Sequence, residues 1–403
     1  MSNKLLDDIH QAIKDALYTI YEIARWTPLN ISTNLSRMTG TEVYLKLENM
    51  QRTGSFKLRG AYYAIKKIDS SEIVTASDGN HAQGAALAAS ILNKRLLCVM
   101  PEYTSHVKIN AAMDYGATVE IFGKTYEEAI DKAKSIAMSK GISFLHPYDD
   151  INVIAGNGTV GHEILNDLSD VSTIIVPIGG GGLIAGVATY VKKNNPNVKI
   201  IGVEPEASPS MKKSIEAGKI VKLDPKPTIA EGIAMPSPGE LPFKVVSEIV
   251  DDIVTVNDDD IAYAVYILME RVKTVAEPAG AASVAALLSG KVKVNGKVVA
   301  VVSGGNIDAS LLSKVIIEGM GKTGRIVRLE VALVDKPGEL DRFLTMLTQH
   351  RANIIYITVD YTAKALSPSY SKVILLAEVF SREDKEALIN EIRSAGYNLI
   401  SYE

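Results

Sequence analysis

The sequence predicts an α/β protein: parallel sheets with helices on both faces, followed by a small module of ferredoxin-like β-α-β-β-α-β order. Three observations carry this. The 403 residues are too many for one ordinary core, so two or three domains are expected. Through most of the chain, short β-rich runs alternate with longer helical patterns. After about Arg325 the pattern changes.

In order, the strands of the first part are Val43–Leu47, Ile73–Thr75, Leu96–Met100, Thr118–Phe122, Ile174–Pro177, Ile200–Val203 and Val298–Val302. Helical segments such as Tyr126–Ser139 and Leu183–Lys192 lie between them. In such folds ligands gather beyond the carboxyl ends of strands. Three motifs begin where strands end, at Ser77, Gly179 and Ser303. Beyond Arg325, Val327–Val334 reads as a strand, Gly338–His350 as a helix and Ile354–Asp360 as a strand. Val373–Phe380 is a further strand, Arg382–Ala395 a further helix, and Tyr397–Tyr402 a last short strand. Gly319-Met320-Gly321-Lys322-Thr323-Gly324 is expected to be the linker, because its glycines break the preceding helix. There is no 20–50-residue repeat.

Composition narrows the class. Apolar residues make up 47% and charged residues 22%, as in a globular protein. A net charge of -4 and a pI near 6.0 argue against a nucleic-acid partner. No apolar run is long enough to span a bilayer; the most hydrophobic region, Ile174–Val187, is interrupted by the four glycines Gly179–Gly182. The first residues, Met1–Lys14, are polar and of mixed charge, unlike a secretory signal. The single Cys98 sits in an apolar run and reads as a buried strand residue. A cytoplasmic protein is expected.

The chemistry starts at Ser55-Phe56-Lys57-Leu58-Arg59-Gly60-Ala61. A lysine forms a Schiff base with an aldehyde only as the free amine, so it needs surroundings that lower its pKa. Alone, a Lys near an Arg is usually a helix face. Gly179–Gly182, between an apolar strand and a helix, let several backbone N–H groups converge beside a helix N-terminus, which binds phosphate without cationic side chains. The bland alternative is a tight turn, but four glycines exceed what a turn needs. The spacing is neither that of a dinucleotide fingerprint nor that of a P-loop. Ser303-Gly304-Gly305-Asn306 offers a hydroxyl to a pyridine nitrogen; a Ser there, unlike an Asp, leaves the ring largely neutral and favours rapid loss of a β-substituent. In Ser77-Asp78-Gly79-Asn80-His81, Asn80 is suited to donate to a phenolic oxygen, and Ser77 with the loop amides to hold a carboxylate. Together these are the parts of a pyridoxal phosphate site. His146, His162 and the other histidines show no metal spacing.

These segments resemble the threonine ammonia-lyases, which are fold-type-II (tryptophan-synthase-β-like) pyridoxal phosphate enzymes. Trp26-Thr27-Pro28-Leu29, Lys46-Leu47-Glu48-Asn49 and Glu277-Pro278-Ala279-Gly280-Ala281 match the same family, and the resemblance covers nearly all of residues 1–320. The tail resembles an ACT domain, an amino-acid-sensing module, through Asp335-Lys336-Pro337-Gly338-Glu339-Leu340 and Asn353-Ile354. The resemblance implies a catalytic region 1–325, with a large domain of about 1–45 and 155–320 and a small domain of about 46–154, and an ACT domain 326–403.

Residue by residue, it implies that Lys57 is the Schiff-base lysine and α-proton base. Asn80 would meet the ring oxygen, Gly179, Gly180, Gly181, Gly182 and Leu183 the phosphate, and Ser303 the ring nitrogen, with Phe56, Glu277 and Gly304 completing the cofactor site. Ser77, Gly79, Asn80 and His81 would hold the substrate carboxylate. The implied reaction converts L-threonine to 2-oxobutanoate and ammonia, with L-serine as a second substrate, as the first step of isoleucine biosynthesis. An effector, isoleucine or valine, would bind at Asp335, Pro337, Gly338, Leu340, Asn353 and Ile354. ACT domains usually pair, so a homo-oligomer, a tetramer, is expected.

Two departures matter. Position 78 is Asp where these enzymes carry a small neutral residue; diaminopropionate ammonia-lyases share Asp-Gly-Asn-His, and a carboxylate there opens a D-substrate or racemase activity, the bland alternative being a helix cap. Serine racemases bind a divalent ion partly through an Asp whose place is taken here by Ser210, although Glu204 fits, so no metal site is expected. The competing readings are a serine or hydroxy-amino-acid racemase and, in another class, a non-catalytic amino-acid sensor. Cysteine synthases fit less well, since their matching loop has Asn-Thr in place of Asn80-His81.

Overall fold

The computed structural model describes residues 2–363 and 366–402. In chain order the strands are β1 (Leu29–Ile31), β2 (Glu42–Leu47), β3 (Glu72–Ala76), β4 (Arg95–Met100), β5 (Thr118–Ile121), β6 (Ser143–Phe144), β7 (Thr173–Pro177), β8 (Lys199–Pro205), β9 (Asp252–Val256), β10 (Lys297–Val302), β11 (Ile326–Val334), β12 (Asn353–Asp360), β13 (Tyr370–Glu378) and β14 (Asn398–Tyr402). They form three sheets, ordered β1-β2-β10-β7-β8-β9, β5-β4-β3-β6 and β12-β13-β11-β14. The first two are parallel except for β1, as the alternation of strands and helices dictates. The third is antiparallel.

One compact unit ends at Leu312 and a second begins at Ser313. The glycines of 319–324 do not break the preceding helix, contrary to expectation: it runs from Ala309 to Lys322, and the chain leaves it only near Gly324, at φ +75°. Gly319 and Gly321 are tolerated there because an interior glycine weakens a helix by only about 1 kcal/mol. Residues 46 and 47 belong to β2 in the larger sheet, and the helix Ile151–Asp167 starts before 155, so the smaller sheet's share of the chain is shorter than 46–154. Strand β13 lies two to three residues earlier than Val373–Phe380. Strands β1, β6 and β9 were not expected; β1 and β6 have only three and two residues, too short for an alternating pattern to register.

The helix Lys57–Lys67 lies in the core that also holds the N-terminal helix Ser2–Leu17 and the helix Asn80–Ile91. Cys98 is fully buried on β4. Among the described residues, no helix is long and apolar enough to cross a membrane. In the second unit, one face of the sheet packs its alternating apolar residues (Val327, Leu329, Val331, Val373, Leu375) against Phe343, Leu347, Leu388 and Ile392 of the two helices Glu339–Gln349 and Arg382–Ser394.

Candidate active site

The parallel pairing of β2 with β10 sets Leu47 opposite Val302, so the loops after both strands emerge side by side. They are joined by backbone hydrogen bonds: the N–H of Phe56 donates to the Ser303 carbonyl (3.1 Å) and that of Gly305 to the Gly54 carbonyl (2.8 Å). Lys57, the first residue of its helix, is thereby carried to the carboxyl edge of the larger sheet. A cavity of about 850 Å³ opens there, lined by Phe56, Lys57 and Ser303, by Ser77 to His81 from the smaller sheet, by Gly179 to Leu183 and by Glu277. Gly304 sits behind this wall; a Cβ on it would fall 2.1 Å from Glu277 Oε1, so any larger residue there would have to displace that carboxyl.

Lys57 Nζ lies 3.4 Å from the Pro147 carbonyl. Burial lowers its pKa to about 8, against the pull of the Asp78 and Glu277 carboxylates. Burial likewise pushes the Glu277 carboxyl up to about 7, although the Asn80 amide donates to its Oε1 at 2.6 Å. The Asn80 carbonyl oxygen accepts from the Asn306 amide at 2.7 Å, and the same amide donates to the Thr53 carbonyl at 2.8 Å. Asn80 is thus fixed from two sides.

The His81 ring is buried, and its pKa is held well below the ordinary value by burial, then by Lys57 and His146. The Thr75 hydroxyl donates to the Leu145 carbonyl (2.8 Å) and lies 3.1 Å from His81 Nε2. With its one proton committed, that hydroxyl accepts from Nε2–H, which leaves Nδ1 as a buried acceptor without a partner. The Ser77 hydroxyl oxygen accepts from the Gly79 and Ala82 amides (3.1 and 3.2 Å), and so caps the helix Asn80–Ile91 with its own proton still to donate. At the start of this helix the amides of Gly79 and Ala82 are thus taken by Ser77 and not by Asp78. The Asp78 carboxyl pKa is raised by burial, opposed first by Lys108, and the Tyr103 hydroxyl is hydrogen-bonded to it.

The glycine run is shaped by what faces it. A Cβ on Gly180 would fall 2.3 Å from the Tyr148 ring, and one on Gly182 would lie 2.9 Å from the Tyr148 carbonyl. Gly181 has φ +92° and leads into the helix Gly182–Asn194. The run is thus packed closely on its Cβ side, while all four glycines line the cavity beside the start of that helix.

Several wall residues escaped the sequence reading: Tyr103, Lys108, Tyr126, Tyr148, Asn157 and residues 225–236. Only Pro225, Pro227 and Pro236 gave a sign, marking an irregular segment. The Glu204 carboxylate accepts from the Met211 and Lys212 amides (2.8 and 2.9 Å), and burial raises its pKa to about 7. Among the described residues no group of three or more His, Cys, Asp or Glu side chains is placed to hold a metal.

The family model described as pyridoxal-phosphate dependent enzyme matches residues 20–304, most of the chain and the whole cavity wall up to Gly304. The chain belongs to this family. Within the family it is 43% identical to the L-threonine ammonia-lyase of Thermotoga maritima over 392 residues, 96% of this chain and 98% of the relative. Among solved structures it resembles the processed threonine deaminase isoform 2 of Solanum lycopersicum (40% identity, TM-score 0.74, 77% of this chain and 93% of that one). It also resembles maize serine racemase (33% identity, TM-score 0.73, 78% and 98%). The site fits the family's cofactor. A lysine shifted toward the free amine, a run of four glycines at a helix start and an unpartnered buried acceptor share one cavity with Ser303.

Proposed function

We propose that this enzyme deaminates L-threonine, and L-serine, by α,β-elimination to 2-oxobutanoate or pyruvate and ammonia, the first step of isoleucine biosynthesis. The observation that carries the reading is Lys57: a cavity amine with a pKa near 8, next to a glycine cradle. Pyridoxal phosphate, when bound, supplies an electron-withdrawing ring that stabilises negative charge at the substrate α-carbon. Lys57 would hold the cofactor's aldehyde and would serve as the base for the α-proton. The amides of Gly179 to Leu183 hold the phosphate, Ser303 faces the ring nitrogen and Asn80, fixed by Asn306, meets the ring oxygen. Phe56, Glu277 and Gly304 complete these surroundings. The Ser77 hydroxyl, Gly79, Asn80 and His81 hold the substrate carboxylate. The test is keto-acid release from the L- and D-forms of threonine and serine by protein showing the cofactor's visible absorption; absorption without release from any of them would overturn it.

One observation favours a second activity. Asp78 brings a carboxyl to the cavity wall, and by resemblance to the racemases and to diaminopropionate ammonia-lyase it would exchange a proton with the face of the α-carbon away from Lys57. That gives slow racemisation or elimination from a D-substrate.

Residues 326–403 form the regulatory ACT domain, and 1–325 the catalytic region. Strands β11 and β12 both start beside Glu378, while Asp335 follows the far end of β11, roughly 30 Å away at about 3.3 Å per residue. One isoleucine or valine touching Asp335, Pro337, Gly338 and Leu340 as well as Asn353 and Ile354 therefore needs two copies of the domain, which supports a homo-oligomer, taken as a tetramer. The effector acts by binding one state of the enzyme better than another. Truncation after Gly324 is expected to leave turnover intact and abolish the response to isoleucine and valine, a coupling worth about 5–150-fold in affinity where present. A truncated protein that still responds would move the effector site into the catalytic region.

A further inference from the structure

Residues 220–230 carry no helix or strand, and Pro225 to Ile229 among them line one side of the cavity. On the larger-sheet side they are fixed by backbone: Lys226 N–H donates to the Ala207 carbonyl (3.1 Å), Leu223 N–H to the Pro236 carbonyl (2.8 Å), and Ile229 N–H to Asp258 Oδ2 (3.1 Å). Toward the smaller sheet two ion pairs reach across. Lys222 Nζ lies 3.3 Å from Glu127 Oε1, and Glu231 Oε2 lies 3.2 Å from Lys108 Nζ. Glu127 and Lys108 sit on the helices Tyr126–Lys140 and His106–Asp114, which flank the smaller sheet. The two pairs have opposite polarity: the segment gives a cation at its start and an anion at its end, and the smaller-sheet half gives the reverse.

We propose that Lys222–Glu231 is a strap across the cavity mouth, fastened by these two ion pairs, which opens to admit substrate and closes to retain it. Both pairs are partly or largely exposed, with side-chain exposures of 70% and 40% for Lys222 and Glu127, and 24% and 61% for Lys108 and Glu231. Water competes for such pairs, so they hold weakly and part readily, which suits a fastening and not a permanent staple. Opposite polarity adds register, because a strap shifted or reversed along the mouth brings like charges together. The four residues are positioning residues: they govern capture of the substrate and leave the chemical step to the cavity floor.

This rests on the elimination reading only for its kinetic readout. The test uses the outer pair, whose residues do not line the cavity: holoenzyme carrying Glu127→Lys, Lys222→Glu, or both. Each single variant is expected to raise the KM for L-threonine about threefold to tenfold with kcat within twofold of wild type. Each is also expected to speed severalfold the loss of the cofactor's visible absorption to hydroxylamine. The double variant, with the pair restored in reverse, is expected to return both quantities to within twofold of wild type. Single variants that match wild type, or a double variant no better than the worse single, would overturn the strap. Glu127→Gln and Lys222→Gln, which add no like-charge contact, serve if a reversed charge prevents folding, and must show the same direction. The hydroxylamine rate needs no substrate. A wild type that fails to turn over L-threonine therefore counts against the elimination reading alone.

Discussion

Lys57 and Arg59 stand two residues apart at the start of one helix, and the protein treats their charges in opposite ways. Arg59 is fully buried with its guanidinium between Glu48 (2.8 Å) and Glu163 (2.6 Å), and Lys46, also fully buried, lies 2.5 Å from Glu163. Two cations face two carboxylates, so burial is matched by partners; the Arg59 pKa is raised although burial alone would lower it. Among the described residues Lys57 has no ion pair within 4 Å; burial prevails over Asp78 and Glu277 and brings it down to about 8. The compensated charge fixes the helix and cannot react. The uncompensated one is left with its lone pair accessible. The contrast separates scaffold from chemistry within a single turn of helix.

The comparison breaks most visibly at Lys57. Lys57→Ala is expected to abolish the cofactor's visible absorption and lower keto-acid release by more than about 10³-fold, since anchor and base go together. Its unfolding midpoint in urea should stay near that of the wild-type apoprotein. Arg59→Met should do the reverse. It leaves Glu48 and Glu163 buried with too few cations, which costs about 3–5 kcal/mol of stability in urea unfolding. The surviving folded fraction should still capture the cofactor.

A pH series sharpens the contrast. Only the free amine of Lys57 reacts with the aldehyde, so cofactor capture by the apoprotein should quicken roughly tenfold per pH unit below about 8 and level off above it. The sign for stability follows: between about 8 and the ordinary lysine value the unfolded chain holds more protons than the folded one, so Lys57 makes stability rise with pH across that window. Lys57→Ala should flatten the rise. Asp78 gives the smallest effect. Asp78→Ala is expected to leave L-threonine turnover within severalfold of wild type while removing any activity on D-threonine and D-serine. If the two proteins share one profile and neither touches a D-substrate, Asp78 has no part in the chemistry.

How much of this was legible in the sequence depends on how local each signal is. Motifs that end strands were readable, because a strand followed by Gly179–Gly182 or by Ser303 advertises itself within ten residues. The same holds for the βαββαβ order of the tail. Lys108, Tyr148 and Asn157 were not readable: each is an ordinary helix or loop residue whose place on the cavity wall is decided by packing from elsewhere. The helix through Gly319 and Gly321 was missed for a related reason, as local propensity argued for a break that the apolar positions around it overrode. Ser77 shows the finest limit. Its residue type gave away a polar role near the helix start, but only geometry shows that it, and not Asp78, takes the first amides.

The pairing of β2 with β10 has a consequence for how the protein is made. Glu42 lies opposite Lys297 in that ladder, and β2 has only the three-residue β1 on its other side. At about 5–20 residues per second, β2 leaves the ribosome roughly 10–50 s before its main partner exists. For that interval its apolar side chains Val43, Leu45 and Leu47, all buried in the finished sheet, have nothing lasting to pack against. Lys57, already emerged, meets Ser303 across the cavity only once that segment has followed it out.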